Sequence, residues 1–161
     1  MDSRITLRPI GPADMDFLRQ VYRSTREEEL AMVIDWTPEQ KDAFVEHQFN
    51  AQHAWYQDHY QGAQWNVILV DGAPAGRLYV HRRAREIRLV DVTLLPEYRH
   101  GGLGTSMLRD LLAEGEAAGK PVTIHVEVYN PAMRLYERLG FRPIEERGPY
   151  VLMEWKAPSL S

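Results

Sequence analysis

The segment from Glu86 to Lys120 restricts the fold more than any other part of this 161-residue chain. An almost continuous apolar run, Glu86 to Leu95, stops at Pro96. Arg99 and three glycines follow, Gly101, Gly102 and Gly104, and then Met107, Leu108, Leu111 and Leu112 recur at helical spacing up to Gly119-Lys120-Pro121. A continuous apolar run marks a strand buried on both faces, and the later spacing marks an amphipathic helix. The segment therefore predicts a central strand, a glycine loop and a helix. Glycine at a helix start costs roughly 1 kcal/mol relative to alanine, so a bare backbone must be needed there. The first turn of a helix holds unpaired N–H groups and the positive end of the macrodipole, which suits phosphate oxygens. Two familiar phosphate loops are excluded: no Gly-Lys-Ser/Thr follows, and Arg99 to Gly104 lacks the glycine spacing of a dinucleotide fingerprint.

The rest of the chain supplies elements around this unit. Arg4 to Ile10 alternates and meets Gly11-Pro12, which predicts a first strand. Asp14 caps a first helix on Phe17, Leu18, Val21 and Tyr22 that should end near Glu27 to Glu29. Thr37-Pro38-Glu39-Gln40 has the form of a capping box and opens a longer second helix. Trp65 to Val70 and Pro74 to His81 flank Asp71-Gly72 and predict a hairpin. After Pro121, Val122, Ile124, Val126 and Val128 alternate with Thr123, His125, Glu127 and Tyr129, one row on each face of a strand running to Tyr129. Asn130-Pro131 starts a short helix closed by Gly140, and Phe141 to Glu146 and Tyr150 to Trp155 flank Gly148-Pro149 as two last strands. Seven strands and four helices in this order predict an α/β or α+β domain with a mixed sheet, with residues 1–161 forming a single domain.

Composition narrows the function. With 44% hydrophobic residues the chain can bury a core without staples, and the absence of cysteine excludes thiol nucleophiles, disulfides and thiolate metal sites. A net charge of -4 disfavours nucleic acid as a partner, and no apolar run is long enough to span a membrane. His47, His53 and His59 recur every six residues and so spread around a helix, which predicts no metal site. A soluble, cytoplasmic protein is expected.

From Leu94 to Thr105 the chain resembles the signature of the Gcn5-related N-acetyltransferases, Arg or Gln followed by x-x-Gly-x-Gly/Ala, carried by Arg99, Gly102 and Gly104. Asn130 to Phe141 resembles the family's second signature, Asn…Ala-x-x-Leu-Tyr-x-x-x-Gly-Phe, carried by Asn130, Ala132, Leu135, Tyr136, Gly140 and Phe141. Asn130 stands one residue closer to Ala132 than in the usual pattern. The resemblance spans essentially the whole chain and implies a mixed, mostly antiparallel sheet of six to seven strands, four flanking helices and a splayed central strand pair. It also implies acetyl-CoA as acyl donor, with its pyrophosphate on Arg99, His100, Gly101, Gly102, Leu103, Gly104 and Thr105. The pantetheine arm would run along the Leu94 strand, with Asn130 and Tyr136 completing the cofactor site.

The implied reaction is direct acetyl transfer to the primary amine of a small or amino-acid-like acceptor, and Tyr136 holds the position of the family's proton donor to the leaving thiolate. Its phenol, near pKa 10, suits a thiolate of about 8.5 to 9. Some relatives carry a base on the central strand, on the face assigned here to Arg88, Val90 and Val92, and none of these is a carboxylate or histidine; Glu86 lies on that face farther from the opening. His125 and Glu127, on the polar row of the next strand, are the candidate bases. Glu28, Trp36 and Tyr56, an acid beside aromatics, are candidate acceptor contacts for a cationic amine. Partners are limited to that amine and, at most, a second copy of the chain. Acetylation of peptide or protein amines, and a non-catalytic acyl-CoA sensor, are the alternative readings.

Overall fold

A computed structural model describes residues 2–158. One sheet contains β1 (Ile5–Pro9), β2 (Gln64–Val70), β3 (Ala73–Arg82), β4 (Ile87–Leu94), β5 (Val122–Glu127), β7 (Tyr150–Trp155) and β6 (Arg142–Arg147), in that spatial order. Every neighbouring pair is antiparallel except β4 and β5. Five helices complete the fold: α1 (Met15–Ser24), α2 (Glu27–Met32), α3 (Pro38–His59), α4 (Leu103–Ala118) and α5 (Met133–Arg138). Among the described residues, no helix is long and apolar enough to cross a membrane.

Most predicted elements appear where their local signals place them. The β2–β3 turn has positive φ at both Asp71 and Gly72, which matches the right-handed twist of the flanking strands. Thr37 and Gln40 form the reciprocal capping box of α3. Three expectations need correction. The first helix is two: Ser24 and Thr25 turn their hydroxyls onto the carbonyls of Val21 and Tyr22, and α2 restarts with Glu27, Glu28 and Glu29 in its first turn, where the dipole favours them. Among the described residues there are thus five helices rather than four. Strand β5 ends at Glu127 rather than Tyr129, because Val128 bonds to Pro149 outside the ladder and Tyr129 is fully exposed. Helix α5 begins at Met133, after an Asn130 turn whose side chain accepts the Ala132 N–H at 2.8 Å.

The two faces of the sheet are covered differently. Helices α4 and α5 bury Leu108, Leu111, Leu112 and Tyr136 against Ile87, Leu89, Ile124 and Val126. Each fully buried side chain of this kind contributes about 1.5–3 kcal/mol. On the opposite face, α3 lays Tyr56 against Tyr79 and brings the Tyr60 hydroxyl to Arg88.

Two irregularities in β4 shape the centre. Its parallel ladder with β5 covers only Ile87–Leu89 against Val122–Ile124, so the two strands part beyond Leu89. On its other edge, Tyr79 faces Asp91 and Val80 faces Leu89, which leaves Val90 as a bulge. The bulge shifts the alternation and puts Arg88 and Asp91 on one face although they are three residues apart. The end of β4 presses close against β3: a Cβ on Gly76 would lie 2.1 Å from the Thr93 carbonyl oxygen, whereas one on Gly101 would meet nothing within 4 Å. Gly76→Ala should therefore lose about 1–3 kcal/mol of stability, as overpacking does, while Gly101→Ala should leave stability unchanged. Denaturant midpoints of the two variants measure this difference directly.

Candidate active site

The loop between β4 and α4 is shaped by two left-handed residues, His100 at φ 63° and Gly102 at φ 80°. Gly102 is the N-cap of α4, and the first helical bond runs from the Ser106 N–H to the Gly102 carbonyl. The N–H groups of Leu103, Gly104 and Thr105 have no partner among the described residues, as expected for a first helical turn. No side chain crowds them, since a Cβ on Gly104 would first meet Leu94 Cδ1 at 3.9 Å. A groove of about 380 Å³, lined by Gly102, Thr105, Ser106, Arg109 and Asp110, runs over this turn. Bare, outward N–H donors at the positive end of a sixteen-residue helix form a donor set that fits a pyrophosphate. Arg99 acts differently from a free cation. Its Nε donates to the Leu94 carbonyl at 2.9 Å and its Nη2 to Ser24 Oγ at 3.2 Å, so it ties the loop to the end of β4 and to α1.

Asp91 organises the centre of the opposite face. Its Oδ2 accepts from Arg77 Nη2 at 2.8 Å and from the Tyr56 hydroxyl at 2.9 Å, and its Oδ1 accepts from Thr93 Oγ1 at 2.7 Å. Arg77 also donates to Gln52 Oε1 and is 2% exposed. Three of the four lone pairs of the carboxylate are thereby occupied, and one on Oδ1 is left. Tyr56, the candidate acceptor contact, is in this way brought into the site. Its phenol is pushed well above its ordinary value by burial and by the Asp91 charge, so it is a permanent donor.

Tyr136 stands on the other face, on α5, 5% exposed and packed edge-on against Phe141. Burial and then the charge of Asp91 raise its phenol above its usual value.

The remaining candidates divide. His125 is half-buried, and its Nδ1 stands 3.2 Å from Arg88 Nη1. Arginine can only donate, so Nδ1 accepts and the ring proton sits on Nε2. Burial, Arg88 and Arg147 push this imidazole below its ordinary pKa, with Glu145 opposing. A neutral ring whose lone pair is occupied is a donor, which argues against His125 as the base in this arrangement. Glu127 ends β5, exposed, two residues along the same row. Glu86 is paired with Arg83 and accepts from Thr123. The Asn130 side chain caps the turn before α5 rather than facing the opening. Glu28 is exposed on α2, and Trp36 packs edge-on against Phe44; neither contacts the Asp91 network. Among the described residues, no group of three His, Asp or Glu could hold a metal.

Asp91, Arg77 and Thr93 escaped the reading by alternation. A strict period of two assigns Asp91 to the wrong face, and only the unpaired Val90 corrects it. The available signal was chemical: one aspartate and one arginine interrupt two adjacent apolar strands, and buried charges occur in pairs.

A profile of the acetyltransferase (GNAT) family matches residues 26–141. Among solved structures, the chain resembles PaiA N-acetyltransferase from Thermoplasma acidophilum in complex with coenzyme A, at 18% identity and a TM-score of 0.69, over 98% of this chain and 100% of that one. It also resembles an acetyltransferase from Thermus thermophilus, at 19% identity and a TM-score of 0.67, over 95% and 97% of the two chains. The ribosomal-protein-S18-alanine N-acetyltransferase from Escherichia coli matches at 18% identity and a TM-score of 0.60, over 94% and 93%. At these identities the likeness is one of fold. The cysteine-rich protein 2-binding proteins of mouse and human are 44% identical over 50 residues, which is 31% of this chain, and the chain spans 6% of the length of these curated relatives. For the loop itself, Gly104→Val should weaken acetyl-CoA binding at least tenfold, about 1.4 kcal/mol, in a variant that melts near the wild-type temperature. Calorimetric titration checks it, and unchanged affinity would remove the loop from the cofactor site.

Proposed function

We propose, because this chain belongs to the acetyltransferase (GNAT) family, that it moves the acetyl group of acetyl-CoA onto the primary amine of a small, amino-acid-like acceptor by direct attack, in the cytoplasm. The enzyme class, an acetyl-CoA-dependent N-acyltransferase, follows from family membership. The observation that carries the finer reading is the Asp91 carboxylate, held by Arg77, Tyr56 and Thr93 with one Oδ1 lone pair left, on β4 just past the point where it parts from β5.

In this reading the amine enters uncharged and donates a hydrogen bond to the remaining Oδ1 lone pair of Asp91. Its nitrogen attacks the thioester carbonyl carbon and becomes cationic as the C–N bond forms. The proton it must then lose passes to Asp91 or, through it, to water, and the carbon–sulfur bond breaks with its electron pair going to sulfur. Tyr136 meets that sulfur. A phenol raised by burial remains protonated across the neutral range, so its contribution is a hydrogen bond that strengthens as negative charge gathers on the thiolate. The Tyr56 and Thr93 hydroxyls and Arg77 fix the carboxylate in one orientation.

Tyr136→Phe keeps the ring against Phe141 and removes only the donor. Turnover measured by thiol release should fall roughly 10²-fold while acetyl-CoA affinity changes little. An unchanged kcat in a chemistry-limited assay would return Tyr136 to the core. Acetyl-CoA binding with no amine-dependent thiol release in the wild-type protein would favour a sensor.

A further inference from the structure

His125 is the first residue of β5 beyond the paired segment, and Asp91 follows the bulge on β4, so the two flank the mouth of the gap on one face of the sheet. The ring of His125 is held in place. Arg88 donates to its Nδ1, and Arg88 is itself fixed by Thr123 Oγ1 at 2.8 Å and by the Tyr60 hydroxyl at 3.4 Å. The Nε2–H of His125 has no partner among the described residues.

Charges of both signs surround this donor. The imidazole is lowered first by burial and then by Arg88, Arg147 and Arg83, and only Glu145 works in the other direction. Glu86 is engaged by Arg83 and Thr123, and Glu127 stands two residues along the same row. Arg147 spends Nε and Nη2 on Glu145 and leaves Nη1 unpaired among the described residues. Glu145 and Tyr150 are both exposed, so this part of the face is accessible. An oriented neutral N–H with a guanidinium near it that keeps one free donor can receive an anion. A carboxylate with one free lone pair stands on the other side of the same mouth, and it is a receptor for an amine.

We propose that His125, with Arg147, reads a carboxylate on the acceptor, so that the enzyme acts on primary amines that also carry a carboxylate, as free amino acids do. The inference rests on the acetyl-transfer reading above and adds the acceptor's chemical class. His125 is then a specificity residue, and its polarity is opposite to that of a base: it gives a hydrogen bond to the acceptor and takes no proton.

The test is a kinetic comparison of free α- and β-amino acids, each beside its carboxamide and its decarboxylated amine, at saturating acetyl-CoA. The wild-type enzyme should prefer the carboxylate member at least tenfold in kcat/KM. His125→Ala should abolish that preference, chiefly by raising KM for the carboxylate member, with the carboxamide and the acetyl-CoA affinity little changed. His125→Gln places an amide N–H near the former Nε2 and should restore much of the preference, which a purely structural role for the ring would not allow. Equal use of carboxamide and carboxylate by the wild-type enzyme, or an intact preference in His125→Ala, overturns the inference and leaves acetyl transfer standing. Bound acetyl-CoA with no turnover of any of these amines, or of peptide amines, overturns both.

Discussion

The buried ion pair between Arg77 and Asp91 is the interaction on which the centre of this molecule depends. Its partners are 3% and 11% exposed and 2.8 Å apart, on adjacent strands packed beneath α3. A charge so deep is tolerated only when paired and hydrogen-bonded, and loss of one partner strands the other at a cost of about 3–5 kcal/mol. The pair therefore holds β3 and β4 in the register in which Val90 bulges, because without the bulge Asp91 would point among the apolar side chains of α4. Gly76 permits the same register from the other side, by letting the backbone of Thr93 approach where any side chain would collide.

The opening follows from the same strand. β4 cannot stay parallel to β5 beyond Leu89, since past that point it follows the bulge and the close approach to β3. A gap in a sheet normally leaves unpaired backbone groups, which is costly when buried. Here the gap opens towards the end of β4 that leads into the glycine turn of α4. The fold thus sets a helix start with bare N–H groups at the end of a strand whose edge β5 leaves unpaired. Arg99 locks the glycine turn to the strand by bonding to the last β4 carbonyl.

Much of this was legible in the sequence. The strand–glycine–helix unit, the Asp71-Gly72 hairpin and the capping box of α3 are written in local chemistry, where one or two residues decide the backbone. The glycine turn that opens α4 belongs to the same class. Two kinds of feature were not legible. The break between α1 and α2 depends on hydroxyls that compete for carbonyls, a contest the helical spacing of Phe17 to Tyr22 does not report. The bulge at Val90 depends on pairing with β3, and it moved a carboxylate onto the part of that face near the opening, where strict alternation had placed none. His125 shows a third limit: its place on the polar row was readable, but its direction as a donor was set by Arg88 from another strand.

The central claim is that Asp91 belongs to the reaction and not merely to the support of β4. The most direct measurement is the acetyl-transfer rate of Asp91→Asn, an isosteric change that keeps an acceptor oxygen for Arg77 or Tyr56, taken together with its acetyl-CoA affinity and melting temperature. The account predicts a protein that melts lower, because Arg77 loses its counter-charge, yet is folded at the assay temperature, binds acetyl-CoA nearly as tightly as wild type and transfers acetyl to amines about 10²-fold more slowly. A folded Asp91→Asn protein with wild-type transfer rates would contradict it.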